Sequence, residues 1–89
     1  MLSRREPARD DDELVGYLLG ELSEEDAERL DEMSLVDDEF AARLRLVEDD
    51  LVDAYAGGRL SGERLKRFES FYLASPRRRE KAAFAKRVL

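Results

Sequence analysis

Tyr17-Leu18-Leu19-Gly20-Glu21-Leu22-Ser23 returns as Tyr55-Ala56-Gly57-Gly58-Arg59-Leu60-Ser61, so tyrosine, glycine, leucine and serine recur at an offset of 38 residues. The same offset places Leu14 on Val52, Arg29 on Arg67, Leu30 on Phe68, Asp31 on Glu69, Met33 on Phe71 and Leu35 on Leu73, which keeps apolar positions apolar over two helical turns. Two units this short cannot each close a core, so they are expected to bury their apolar faces on one another or on a partner. The units run over 11–48 and 49–89. A polar lead over 1–9, with Pro7 and no periodicity, reads as disordered, which leaves 10–89 as a single domain.

Within the units the periodicity is helical, and no alternating β-branched run is bounded by a two-residue turn. Asp10, Asp11 and Asp12 are placed to cap a first helix carrying Leu14, Val15, Tyr17 and Leu18, which Gly20 ends. Ser23 precedes Asp26 by three residues and opens a second helix with Ala27, Leu30 and Met33 along one stripe. Asp37 and Asp38 cap a third, whose Phe40, Leu44, Val47, Leu51 and Tyr55 recur at three and four with no glycine or proline before Gly57. This helix crosses the boundary between the units and is the expected spine. Ser61 is expected to cap a fourth helix with Leu65, Phe68 and Tyr72 on one face. Ser75-Pro76 starts a fifth, with proline at the first helical position, where its missing N–H costs little. The fold class is therefore all-α, a small bundle of about five helices built from two repeated helical units, with Phe68, Phe71, Tyr72 and Phe84 as the expected aromatic core.

Composition removes several chemistries. The 89 residues contain no cysteine and no histidine, so disulfides, the usual zinc and haem ligand sets and the commonest general base are absent. Carboxylates are plentiful, but no D-x-D-x-D-G loop is present. No cofactor, no metal and no catalytic residue is expected, and the chain reads as a binding protein, not an enzyme. No run approaches the roughly 18 apolar residues of a membrane span, and residues 1–7 lack the apolar stretch of a signal peptide, so a cytoplasmic location is expected.

Leu51-Val52-Asp53-Ala54-Tyr55, then Gly58-Arg59-Leu60-Ser61 with Glu63 and Ser75-Pro76, resembles the cytoplasmic zinc-binding domain of bacterial anti-sigma factors. That family carries Leu-x-x-Tyr-x-x-Gly-Glu-Leu-Ser, a helix with a histidine, and Cys-Pro-x-Cys, and the match holds in both units. The family's histidine falls on Phe71 and its cysteines on Ser75 and Arg78, while in the first unit the three fall on Met33, Asp37 and Phe40. No ligand survives in either. The resemblance implies a zinc-less relative in which side-chain packing replaces the metal cross-link. It also implies transcription regulation by sequestering a sigma factor or a similar helical partner.

Charge is segregated. Asp10 to Asp53 hold 18 acidic against 3 basic residues, a balance of −15, whereas Ala54 to Leu89 carry +7. An acidic first unit is suited to a basic partner surface, which makes Glu24, Glu25 and Glu28 candidate partner-binding residues. Phe68 and Tyr72 are candidate apolar contacts beside them. The basic run from Arg77 to Arg87 carries no recognised nucleic-acid signature, and no nucleic acid is expected. That end would lie near a membrane if the natural chain continues into a spanning helix past Leu89. Opposite charge on the two halves also fits a self-associating, death-like helical adaptor that assembles head to tail.

Overall fold

A computed structural model describes the backbone of residues 7–88 and the side chains of residues 11–88. Among these residues the chain is all-α. It contains α1 (Pro7–Leu18), α2 (Glu24–Val36), α3 (Asp38–Ala56), α4 (Gly62–Ser70), a 3₁₀ turn at Tyr72–Ala74 and α5 (Pro76–Val88). α1 opens at Pro7, three residues before Asp10, because proline's fixed φ suits the first helical position. Asp11 and Asp12 consequently lie inside α1 and do not cap it. Their carboxylates instead receive Arg43 of α3 at 2.6 Å and Arg64 of α4 at 2.8 Å. Residues 1–6 of the expected lead, and Leu89, lie outside the described residues.

Glycine ends α1 in a left-handed conformation, with Gly20 at φ 71°. The Glu21 N–H donates to the Gly16 carbonyl at 2.8 Å and the Gly20 N–H to that of Tyr17 at 3.2 Å, which satisfies carbonyls the helix would leave orphaned. The geometry returns 38 residues on. Gly58 has φ 74°, the Arg59 N–H donates to Ala54 at 2.8 Å and the Gly58 N–H to Tyr55 at 3.1 Å. Ser23 and Asp37 cap α2 and α3 by accepting from the Asp26 and Phe40 amides, each at 3.1 Å. Ser61 sits at the start of α4, but its hydroxyl accepts no capping bond. Gly62 follows it at φ 64°, and a left-handed first residue turns the next amides away from a capping oxygen.

α3 is the spine, packed against α1, α2 and α5. Leu14, Leu18 and Leu19, Leu30, Val47, Leu51 and Val52, Phe68, Tyr72, Ala82 and Ala85 form the buried core. Each fully buried large aliphatic or aromatic group contributes about 1.5–3 kcal/mol over exposure, so a core this small depends on every member. Its second half is a stack of three rings. Tyr55 lies on Phe68 with centroids 4.3 Å apart, and Phe68 on Tyr72 at 4.6 Å. Lys86 stands over the Tyr55 ring and Arg78 over that of Tyr72, both at 4.7 Å, so α5 supplies a cation to each outer ring.

The aromatic core is smaller than the sequence implies. Phe71 is 46% exposed and Phe84 58% exposed. Phe68 and Tyr72, four residues apart, occupy the inner stripe beyond α4 and push Phe71 to the rim. On α5 the inner stripe belongs to Ala82 and Ala85, whose small side chains let the helix approach α3 closely, and Phe84 falls outside it. Leu35, matched to Leu73 in the repeat, lies 83% exposed at the end of α2 beside equally exposed Val36.

Candidate protein-binding site

The five residues singled out from the sequence separate into two groups. Glu24, Glu25 and Glu28 lie exposed on α2 and form no ion pair among the described residues, so they constitute a free acidic face. Phe68 and Tyr72 are fully buried. Their placement on a partner surface is therefore corrected: they are the centre of the ring stack, and a side chain without accessible area makes no partner contact in this conformation. The exposed aromatics are the other two, Phe71 and Phe84.

Phe84 borders the groove that best fits a protein partner. α3 and α5 lie side by side, and between them Val52, Ala85, Phe84 and Val88 form an apolar cavity of about 320 Å³ rimmed by Asp49 and Asp53. Val52 and Ala85 are its buried floor, whereas Phe84 and Val88 stand 58% and 63% exposed at its edge. Lys81 closes one side, held by Asp49 at 2.7 Å. Sequence reading took Phe84 to be part of the aromatic core. The alanines at 82 and 85, spaced by three, were the available signal that a narrower stripe faces inward.

The positions matching zinc ligands are differently used in the two units. In the first, Met33 and Phe40 line a cavity of about 210 Å³ with Leu14 and Leu30, while Asp37 points its carboxylate at the start of α3. In the second, Phe71 and Arg78 share a cavity of about 200 Å³ with Tyr17, Gly20 and Asp31, and Ser75 accepts from the Arg78 amide at 3.4 Å. Two of the three positions thus border one cavity in each case. Among the described residues no group of three or more histidines, cysteines, aspartates or glutamates is placed to hold a metal ion.

Two tyrosine hydroxyls donate to carboxylates, Tyr17 within the acidic half and Tyr72 from the basic half to the acidic one. Burial of the Tyr17 ring, then its hydrogen bond to Asp31, raises its hydroxyl to a pKa of about 12. Burial, then donation to Glu48 at 2.5 Å, pushes Tyr72 up further. Both phenols act as neutral donors to a carboxylate, which is a structural task and gives neither the character of a reactive base. No helix among the described residues is long and apolar enough to cross a membrane. No known family profile, no curated protein and no solved structure matches this chain.

Proposed function

We propose that the domain is a non-catalytic regulatory module of the anti-sigma type, a duplicated and zinc-less one, that holds a sigma factor or a similar helical partner in the bacterial cytoplasm. The observation that carries this reading is the α3–α5 groove, an apolar floor with Phe84 and Val88 exposed at its lip and two aspartates on its rim. Such a groove suits the apolar stripe of an amphipathic helix with basic flanks, the helix-in-groove mode of recognition. The recurring left-handed turn at Gly20 and Gly58 supports the duplication, and the packing of Met33 and Phe40 against the buried core supports the exchange of metal for side chains. Occupying the partner's helix would block its contacts with polymerase or promoter.

The test is a mixing assay with purified sigma factors encoded near the gene, read by size-exclusion chromatography. A one-to-one complex is expected, and Phe84→Asp should weaken it by at least about 2 kcal/mol, the scale of an anchor residue, with little change in melting temperature. Absence of a complex with every such factor rejects the sigma-factor reading.

Charge segregation favours a second reading, a self-associating adaptor in which the acidic face of α2 meets α5 of the next copy. Glu24, Glu25 and Glu28 to glutamine is the discriminating variant. Glutamine is preferable to lysine because Glu24 and Glu25 sit in the first turn of α2, where cations would also oppose the helix dipole. Loss of salt-sensitive light scattering supports self-assembly, and slower association with a sigma factor supports sequestration.

A further inference from the structure

Arg45 of α3 and Arg77, Arg78 and Lys81 of α5 converge on one open cleft of about 360 Å³, whose remaining lining residue is Glu48. Four cations against Glu48 and the Asp49 carboxylate paired with Lys81 leave a local excess of two positive charges in a chain whose net charge is −6. Internal contacts do not exhaust it. Glu48 accepts the Tyr72 hydroxyl at 2.5 Å, so its carboxylate is already engaged by the ring stack. Lys81 is fixed by Asp49, and Arg78 is fixed over the Tyr72 ring. Arg45 and Arg77 have no ion-pair partner among the described residues. Two anchored and two unengaged cations are thus held on adjacent helices, where like charges repel until an anion enters.

We propose that this cleft binds a phosphate-bearing anion, best one with two linked phosphates. Guanidinium groups offer planar pairs of donors that match phosphate oxygens, and Arg45 and Arg77 approach from different helices, so each can take a separate phosphate. Arg78, held over the Tyr72 ring, adds positive charge without needing to move, while the charge of Lys81 is offset by Asp49. A single carboxylate carries too little charge to offset the excess and too few oxygens to engage both free arginines. The inference does not rest on the partner-binding reading, which uses the groove lined by Phe84 and Val88; Lys81 alone lines both.

Inorganic pyrophosphate is the probe, titrated into the full chain at low salt by calorimetry and by ¹⁵N amide spectra. Saturable binding with a Kd below about 1 mM is expected, with shifts centred on 45–48 and 77–81. The double variant Arg45→Gln/Arg77→Gln should weaken it at least about tenfold and leave the melting temperature unchanged, because neither side chain supports the core. Vesicles of phosphatidylglycerol and of phosphatidylcholine identify the source. Binding to the anionic vesicles that is lost in the double variant and displaced by pyrophosphate assigns the cleft to a lipid phosphate, and pyrophosphate binding without vesicle binding assigns it to a soluble one. The proposal is overturned if neither probe binds in a manner that depends on Arg45 and Arg77, or if poly-L-glutamate binds as tightly as pyrophosphate.

Discussion

At Gly20 and at Gly58 the chain makes one turn twice, with φ of 71° and 74° and the same pair of backbone bonds, but the surroundings differ. The Phe71 ring covers the first so closely that a Cβ built on Gly20 would meet Phe71 Cδ1 at 2.7 Å, and the Arg67 guanidinium donates to the Gly20 carbonyl at 3.2 Å. Nothing lies within 4 Å of a Cβ built on Gly58. The local conformation is set by glycine and by the helix end it satisfies, so it repeats wherever the sequence does. What covers the turn is set by the chain on the far side. Phe71, the residue after α4, closes over the first turn, whereas no described residue closes over the position a Cβ would take at Gly58.

The largest effects should come from the cores of the two units. Phe68→Ala is expected to cost about 4 kcal/mol and its repeat equivalent Leu30→Ala about 3 kcal/mol, since Phe68 also forfeits two ring contacts. Urea unfolding of both variants measures this. If Leu30→Ala costs as much or more, the ring stack adds nothing to burial.

Next come the glycines themselves. Gly58→Ala should cost about 1 kcal/mol, the strain of a left-handed alanine, and Gly20→Ala about 2–3 kcal/mol because the Phe71 ring must also be displaced. Phe71→Ala alone should cost only about 1 kcal/mol, as befits a half-exposed ring. In a thermal-melt double-mutant cycle the pair Gly20→Ala/Phe71→Ala should cost less than the sum of its parts. Equal losses at Gly20 and Gly58, or strict additivity in the cycle, would erase the difference between the turns.

The smallest effect is a titration. Tyr17 is held neutral by burial and by Asp31, with its pKa raised from 10.0 to about 12, so the folded chain retains a proton the unfolded chain releases. This contribution is complete below pH 10 and is lost as pH rises toward 12, so stability falls across that window. Tyr17→Phe should shallow the fall measured by denaturant midpoints from pH 9 to 12. Tyr72, shifted in the same direction, accounts for the remainder. An unchanged slope in Tyr17→Phe would place the alkaline sensitivity elsewhere.

Much of the fold is legible in the residues. The unbroken three-and-four spacing from Phe40 to Tyr55 marks α3 because a helix needs only its own stripe to be recognised, and Gly20, Gly58 and Ser75-Pro76 mark ends because turns and caps are closed by neighbours in the chain. The candidate site was legible only in part. Glu24, Glu25 and Glu28 are exposed as expected, since three acids within five residues of one short helix have no internal partners to bury them. Phe68 and Tyr72 changed roles with Phe84, because an aromatic side chain fits a core and a partner surface equally well and periodicity does not say which stripe faces inward.

By itself the sequence determined the all-α class, the order of its helices, the two left-handed turns and the segregation of charge, because all of these follow from local conformation and from counting ionised groups. Tertiary structure alone decided that α5 docks through Ala82 and Ala85, leaving Phe84 and Val88 at the lip of a groove. It alone covered Gly20 with Phe71 and brought Arg45 beside Arg77 and Arg78. These contacts join residues that are far apart in the chain. They depend on which pairs of faces pack most closely, and that choice is made by shape and volume across the whole core.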